Sequence, residues 1–442
     1  MEQQLNENHQ KVPSLVAENH QQKKKGIVEN DRIISISVVD QKMISKGPFN
    51  NFTTPNKDCI ETILHEYEKT LSHRSRYHLG YPVNLSKGNY ANLDPLMSFH
   101  INNCGDPFTD PHWGFNSRQF ELGVLDWFAQ IWEINKDDYW AYITNGGTEG
   151  NFHGLWIGFV TSSRELLGDG ILYASQDTHY SVFKIAKLYR MEYVVVESSI
   201  NGEMDYEDFR RKLLLNKDKP AIVVANIGTT FKGAIDDLDL IIEILHECGF
   251  SNKRFYIHCD AALLGLMLPF NKHAPKISFK KPIGSISVSG HKFLGCPMPC
   301  GIQMTRKSYI DLISQDVEVI YSKDATISGS RNGHAAIYLW HNLSIKGKIG
   351  LEKDSQKCLE NASYFEGLIK GEGIVCFRNE WSLVVVFERP KDDEIIHQWQ
   401  LSCEGDLAHI VVLPNVTQEK LTEFFHQLIS GRTSRTNMTQ SS

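Results

Sequence analysis

The 442-residue chain has no apolar run approaching the roughly 18–20 residues that a bilayer crossing needs, so a helical membrane span is excluded. Basic residues are not in excess. Lys and Arg number 46 against 53 Asp and Glu, a formal net charge of −7, which argues against a general nucleic-acid surface. There is no regular cysteine spacing. Nine scattered cysteines, an odd count, do not make a disulfide framework. Cys296 and Cys300 lie close together in Cys-Pro-Met-Pro-Cys, but a zinc site needs two further ligands and no second Cys/His pair is evident. A stiff turn is the expected reading, and no metal is expected. The opening Met-Glu-Gln-Gln-Leu-Asn-Glu lacks the charged-then-apolar layout of a secretory signal and is too acidic and amide-rich for a transit peptide. The expected location is the cytoplasm.

The chain is 41% hydrophobic and 22% charged, ordinary for a soluble globular protein and enough for a large core divided into lobes. Residues 1–55, rich in Gln, Asn, Glu and Lys, read as a disordered tail. Ile60, Ile63, Leu64 and Tyr67 recur at helical spacing between Asp58 and Leu71. The loop Tyr77–Asn84 presents Tyr81 and Val83 either to a pocket or as cover for the core. Over residues 117–133 the stripe Phe120, Val124, Leu125, Phe128 and Trp132 marks an amphipathic helix whose apolar face is core packing.

From there strands and helices alternate. Strands are expected at Ile171–Ser175, Tyr193–Glu197, Ala221–Asn226, Phe255–Asp260, Gly284–Val288 and Gly301–Thr305, with helices including Tyr206–Leu215 and Leu238–Cys248. This β–α alternation predicts an α/β fold: a mostly parallel central sheet with helices on both faces and ligands at the carboxyl ends of its strands. After about Gly350 the pattern becomes a small C-terminal α+β lobe. Its expected elements are helix Lys353–Ile369, strands Ile374–Arg378 and Ser382–Glu388, helix Asp392–Cys403, strand His409–Leu413 and helix Gln418–Ile429. The expected divisions are 56–110, 111–350 for the large domain, 351–432 for the small one, and a disordered end over 433–442.

The centre of the chemistry is Ser287–Gly295, where a short buried strand opens into a small-residue turn bearing His291 and Lys292. A lysine there is costly unless its amine is used. One use is a Schiff base to pyridoxal phosphate, formed by a neutral, partly desolvated amine. In isolation the same residues fit a surface lysine after a strand. Upstream, however, Phe-Tyr-Ile-His-Cys-Asp-Ala-Ala ends a second strand in Asp260, and a pyridoxal site needs such a carboxylate to keep the ring nitrogen protonated. The pair is more specific than either member. Asn145-Gly146-Gly147-Thr148 opens a helix whose free N–H groups and positive dipole end suit a phosphate, although many such turns are plain helix starts. Gly146, Gly147, Thr148, Ser289 and His291 are the candidate phosphate contacts. Ala262 leaves one face of a planar ring free, and His179 either stacks on the other or caps a helix in solvent.

In order along the chain, Asn145–Asn151, Asn226-Ile227-Gly228-Thr229-Thr230, His258-Cys259-Asp260-Ala261, Ser289-Gly290-His291-Lys292 and Ser328–Gly333 resemble the motifs of group II pyridoxal-phosphate amino-acid decarboxylases, in the plant serine/histidine branch. The resemblance runs from about Tyr67 to Arg432. It implies a fold-type I homodimer with shared active sites, the N-terminal segment 56–110 lying on the partner. Lys292 is then the Schiff-base lysine, Asp260 the ring-nitrogen partner and His179 the stacking, substrate-contacting histidine. Ser328 and Ser330 reach the partner's cofactor phosphate.

Two positions depart from the family pattern. Where the family carries a loop tyrosine that helps protonate the carbanion, the frame Val317-Glu318-x-x-x-Ser322 places Val319; Tyr321, two residues on, is the candidate replacement. Related enzymes without this hydroxyl give aldehyde and ammonia. Val83 stands where serine-type members carry an aromatic residue, so with Tyr81 and His179 it is a candidate substrate-pocket residue. The expected reaction is decarboxylation of an L-amino acid, with histidine as leading substrate. The alternatives are serine or a small aliphatic amino acid, a decarboxylating aldehyde synthase, and a catalytically silent dimeric pyridoxal-binding protein.

Overall fold

The computed structural model describes residues 57–86, 88–110, 112–164 and 170–439. The expected tail over residues 1–55 lies outside them. The chain divides into two compact units after Arg76. Of the first, helix α1 (Lys57–Arg76) is described, longer than the Asp58–Leu71 expected. Residues 77–110 belong to the second unit with the rest of the chain.

A seven-stranded sheet is the centre of the second unit. Its strands are β1 (Tyr139–Thr144), β2 (Ile171–Ser175), β3 (Tyr193–Val196), β4 (Ala221–Asn226), β5 (Phe255–Asp260), β6 (Ser285–Ser289) and β7 (Gly301–Arg306), in the order β1-β7-β6-β5-β4-β2-β3. The neighbours β3, β2, β4, β5 and β6 pair in parallel, as the alternation predicts. β7 runs antiparallel to both β6 and β1. The physical reason is the connection: β6 and β7 are joined by the Lys292 loop with no crossover helix, and a return without a crossover brings the chain back antiparallel. β1, β2, β4, β5 and β6 are buried along their whole length, the mark of a sheet covered on both faces.

Helix α2 (Arg118–Ile131) buries Val124, Leu125 and Phe128 against the core, as its stripe predicts. Helix α3 (Gly147–Arg164) follows β1, and α4 (Tyr180–Tyr189) follows β2. α5 (Tyr206–Leu215) and α6 (Leu238–Glu247) start under Asp205 and Asp237, whose carboxylates accept from the first helical N–H groups. A small antiparallel pair, β8 (Gln315–Val317) and β9 (Ser322–Asp324), carries Val319 and Tyr321 at its tip.

α7 begins at Gly333, capped by Asn332, and runs to Gly371 with a non-helical break at Gly347 (φ 55°), close to where the pattern changes character. Beyond it, β10 (Cys376–Phe377), β11 (Val384–Glu388), β12 (Ser402–Glu404) and β13 (Leu407–Val411) form a four-stranded antiparallel sheet. The helix expected over Asp392–Cys403 is shorter, α8 (Asp393–Gln398). Gln400 takes a left-handed conformation (φ 51°) and turns the chain into β12, a strand absent from the sequence reading. α9 (Gln418–Thr439) continues past the expected Ile429, so residues 433–439 are helix rather than a disordered end. Phe365, Phe387, Trp399 and Phe424 fill the lobe's own core, while Val384, Val386 and Val411 join it to the main one.

α3 lies unusually close to the sheet because its contact face is a stripe of glycine. A Cβ at Gly150 would come within 1.9 Å of Ser287 Oγ, at Gly154 within 2.3 Å of His258 Nδ1, and at Gly158 within 2.8 Å of Tyr256 Cδ1. Gly158→Ala gains about 1 kcal/mol in helix propensity but overpacks a rigid contact at a cost of about 1–3 kcal/mol. The expected outcome in urea unfolding of the apo-protein is a lower midpoint; a higher one would mean the helix has room to move away.

Candidate active site

Five strand ends converge on one cleft of about 290 Å³. β5 ends in Asp260, β6 in Ser289 ahead of His291 and Lys292, β1 ahead of Asn145 and Gly146, β2 ahead of His179, and β4 in Asn226. This is where side chains leave a parallel sheet without being covered by its helices. Nine of the fourteen sequence-derived candidates meet there: Lys292, Asp260, His179, Gly146, Gly147, Thr148, Ala262, Ser289 and His291.

The first turn of α3 forms one end of the cleft. Gly146 has φ +128°, a conformation that L side chains rarely adopt, and a Cβ at Gly147 would sit 2.9 Å from the Ala262 methyl. Small residues thus keep the helix start open, with the early N–H groups lacking intrahelical acceptors. Glu149 closes the turn from outside by accepting from the Asn145 N–H (2.9 Å) and from Asn145 Nδ2 (2.7 Å). His291 Nδ1 lies 3.0 Å from the Cys300 carbonyl oxygen and 3.2 Å from the Cys300 N–H, so the Cys300 backbone fixes the ring's orientation.

Burial lowers the pKa of the Lys292 amine, with the Asp260 carboxylate pulling in the opposite direction. His179 is lowered as well, by burial first and by Lys292 in addition, against the pull of Asp260. His179 caps α4: its Nδ1 accepts from the Ser181 N–H at 3.3 Å and lies 2.7 Å from Ser181 Oγ. Its one proton is therefore on Nε2. The helix-cap reading and the cleft reading of His179 are both true of the same side chain. Asp260 accepts from Asn151 Nδ2 at 2.7 Å and from the Ala262 N–H at 3.2 Å.

Five candidates are not brought to this cleft by their own chain. Tyr81 and Val83 are exposed and line no part of it. Tyr321 is 69% exposed at the β8–β9 tip, its ring against that of His112. Ser330 accepts from Asn102 Nδ2 at 3.1 Å. Ser328 comes nearest, with its hydroxyl 3.5 Å from Asn145 Nδ2 at the cleft's edge. Asn151, Tyr180, Asn226 and Thr229 line the cleft and were not singled out as site residues. A sequence signal existed for two of them. Asn151 is one helical turn beyond Gly147, and Asn226 ends β4 in register with Asp260.

A strand-end lysine with a depressed amine, facing a carboxylate and an imidazole, is the apparatus of carbonyl chemistry at an amine. Residues 158–388 match the pyridoxal-dependent decarboxylase conserved domain, and the chain belongs to that family. It is a pyridoxal-phosphate-dependent amino-acid decarboxylase of the plant serine/histidine branch. It is 57% identical over 373 residues to a histidine decarboxylase of Solanum lycopersicum, covering 84% of this chain and 89% of that protein. It is also 57% identical over 380 residues to serine decarboxylase 1 of Oryza sativa subsp. japonica, covering 86% and 77%. The crystal structure of L-methionine decarboxylase from Streptomyces sp. 590 superposes with a TM-score of 0.77 at 24% identity, over 85% of this chain and 97% of that one, a likeness of fold.

The cleft fits pyridoxal phosphate on its own chemistry. It offers an amine for an aldehyde, a carboxylate for a ring nitrogen, a small methyl and an imidazole for its walls, and a helix start that side chains would fill. Because the folded chain holds Lys292 below its ordinary pKa of 10.5, the unfolded chain binds the extra proton between the two values. Stability is then greatest above 10.5 and is lost as pH falls through that window. In the apo-protein Lys292→Met should flatten this slope of unfolding free energy against pH; an unchanged slope would mean that the amine is not desolvated.

Proposed function

We propose that the enzyme decarboxylates L-histidine to histamine, with L-serine as the runner-up substrate. The observation that carries the reaction is the meeting of Lys292, Asp260 and His179 in one cleft. Val83, which replaces an aromatic hydroxyl useful to a small polar substrate with an apolar side chain, weighs against serine. Serine is supported by identity to the rice protein equal to that with the tomato one.

Pyridoxal phosphate, when bound, supplies an aldehyde that condenses with amines and a ring that accepts the electrons released with carbon dioxide. Lys292 offers at Nζ an amine shifted toward its neutral, nucleophilic form. Asp260 holds a proton at the ring nitrogen. Ala262 and His179 orient from opposite faces, His179 presenting its Nε2–H. The Gly147 and Thr148 N–H groups, Ser289 and His291 would receive the phosphate.

A homodimer with shared sites completes this reading. The exposed Phe99, Trp113, Phe115, Val319 and Tyr321 support it. Phe115 and Phe99 lie near the Ser328–Ser330 segment: Asn102 joins the Phe115 carbonyl to Ser330, and His334 reaches the Phe99 carbonyl. In that assembly Ser328 and Ser330 reach the partner's cofactor phosphate. The exposed stripe Ile60, Leu64, Tyr67 and Leu71 of α1 suits packing on the partner. Cys104, Cys248, Cys259, Cys296, Cys300, Cys358, Cys376 and Cys403 are free thiols, which suits the cytoplasm.

Incubating the holoenzyme with each amino acid and assaying carbon dioxide, amine and peroxide together tests the reading. Histamine with carbon dioxide is the expected result; ethanolamine from serine alone would replace the substrate, and abundant peroxide without amine would replace the reaction. Tyr321→Phe should move the product from amine toward aldehyde by about tenfold or more, the scale of a positioned proton donor. An unchanged ratio would remove Tyr321 from proton transfer.

A further inference from the structure

Behind the cleft runs a chain of buried polar groups that the reaction as described does not use. Asn151, on the first turns of α3, sits at its branch point. Its Nδ2 donates to Asp260 Oδ2 at 2.7 Å and to Ser181 Oγ at 3.3 Å, and its Oδ1 faces His258 Nε2 at 3.0 Å. His258 Nδ1 lies 2.8 Å from Ser285 Oγ, which accepts from the Tyr256 hydroxyl at 2.8 Å. Asn151, His258, Ser285 and Ser181 are all at most 1% exposed, and Tyr256 2%.

The chemistry of each group fixes every proton in this chain. The Asp260 carboxylate only accepts, so the amide of Asn151 must turn Nδ2 toward it. Oδ1 then faces His258, whose Nε2 must donate. Burial holds His258 at a pKa of about 4, so the ring is neutral, its single proton is on Nε2, and Nδ1 accepts from Ser285. The Ser285 proton is spent there, which is why Tyr256 donates to it. On the other branch Ser181 Oγ accepts from Asn151 and donates to His179 Nδ1. One amide thus reaches both the carboxylate meant for the ring nitrogen and the histidine meant for the ring face.

We infer that Asn151 is a positioning residue that locks Asp260 and the Nε2–H form of His179 together, with His258, Ser285 and Tyr256 holding its own amide in the required orientation. The two sides of the cofactor ring are then set by a single side chain, and neither can turn without breaking a buried hydrogen bond. This rests on Asp260 as partner of the ring nitrogen. The glycine stripe of α3 is what lets Asn151 approach: a Cβ at Gly154 would occupy the space of the His258 imidazole.

The test measures pyridoxal-phosphate affinity of the apo-protein and the visible circular dichroism of the bound cofactor, which reports how rigidly the ring is held. Asn151→Leu keeps the volume and removes every hydrogen bond; His258→Leu does the same one step back. His258→Gln restores an N–H where Nε2 stands. Both leucine variants should lose affinity by about tenfold or more, the scale of hydrogen bonds to a charged group, and should lose most of the cofactor's dichroism. His258→Gln should stay within about threefold of wild type. Wild-type affinity and dichroism in Asn151→Leu would overturn the proposal. Should far-ultraviolet dichroism show that this variant does not fold, the His258 pair decides: equal losses in Gln and Leu overturn it, and a loss confined to Leu supports it. Asp260→Asn in the same assay checks the underlying reading separately, since wild-type binding there removes Asp260 from the ring nitrogen whatever Asn151 does.

Discussion

The site depends on how closely α3 can lie against the sheet. A helix with ordinary side chains packs some 8–10 Å from its neighbours. The glycines of α3 bring this one down until backbone meets the side chains of β5 and β6, with Ser287, His258 and Tyr256 under successive turns. That approach aims the free N–H groups of the helix start into the cleft, and it carries Asn151 to within hydrogen-bond reach of Asp260. A larger residue along the stripe would lift the helix and separate its N-terminal turn from Asp260. Position here is a matter of volume excluded, not of attraction.

Electrostatics then follows from burial. Lys292, His179, His291 and His258 all have their pKa values lowered by desolvation first. The cleft is therefore lined with nitrogen bases biased toward their neutral forms, Lys292, His179 and His291, facing Asp260, with the neutral His258 behind it. A neutral amine is nucleophilic, and a neutral imidazole of fixed tautomer presents a defined donor; both are useful beside an electrophilic aldehyde, and neither is available in bulk water at neutral pH to the same degree. The supporting network lies wholly inside the protein, where unpaired polar groups would be expensive, so each member constrains the next.

The β8–β9 tip presents a different kind of surface. Val319 and Tyr321 are highly exposed, the Tyr321 ring lying only against that of His112 among the described residues. Neither lines the cleft, whose own residues come from strand ends and the start of α3. The division has a physical basis: groups that must hold a cofactor in fixed geometry sit on strand ends, and groups that meet the substrate late can sit on a loop.

Much of this was legible in the sequence. Buried parallel strands announce themselves as apolar runs, and β2, β4 and β5 fall where those runs predict. The strand-end rule alone then places Lys292, Asp260 and His179 at one edge. Short irregular elements were not legible: β12 exists because Gln400 reverses the chain, and no periodicity marks it. Nor was the path of hydrogen bonds behind the cleft, since Asn151 and His258 are far apart in sequence from the groups they serve, and only the tertiary fold decides which buried donor meets which acceptor. The sequence by itself determined the order of the strands' chemistry and the cofactor it serves, because local pattern dictates where a strand ends. Tertiary packing decided that one amide binds the two sides of the site together, because that contact exists only when a helix stripped of side chains settles onto the sheet.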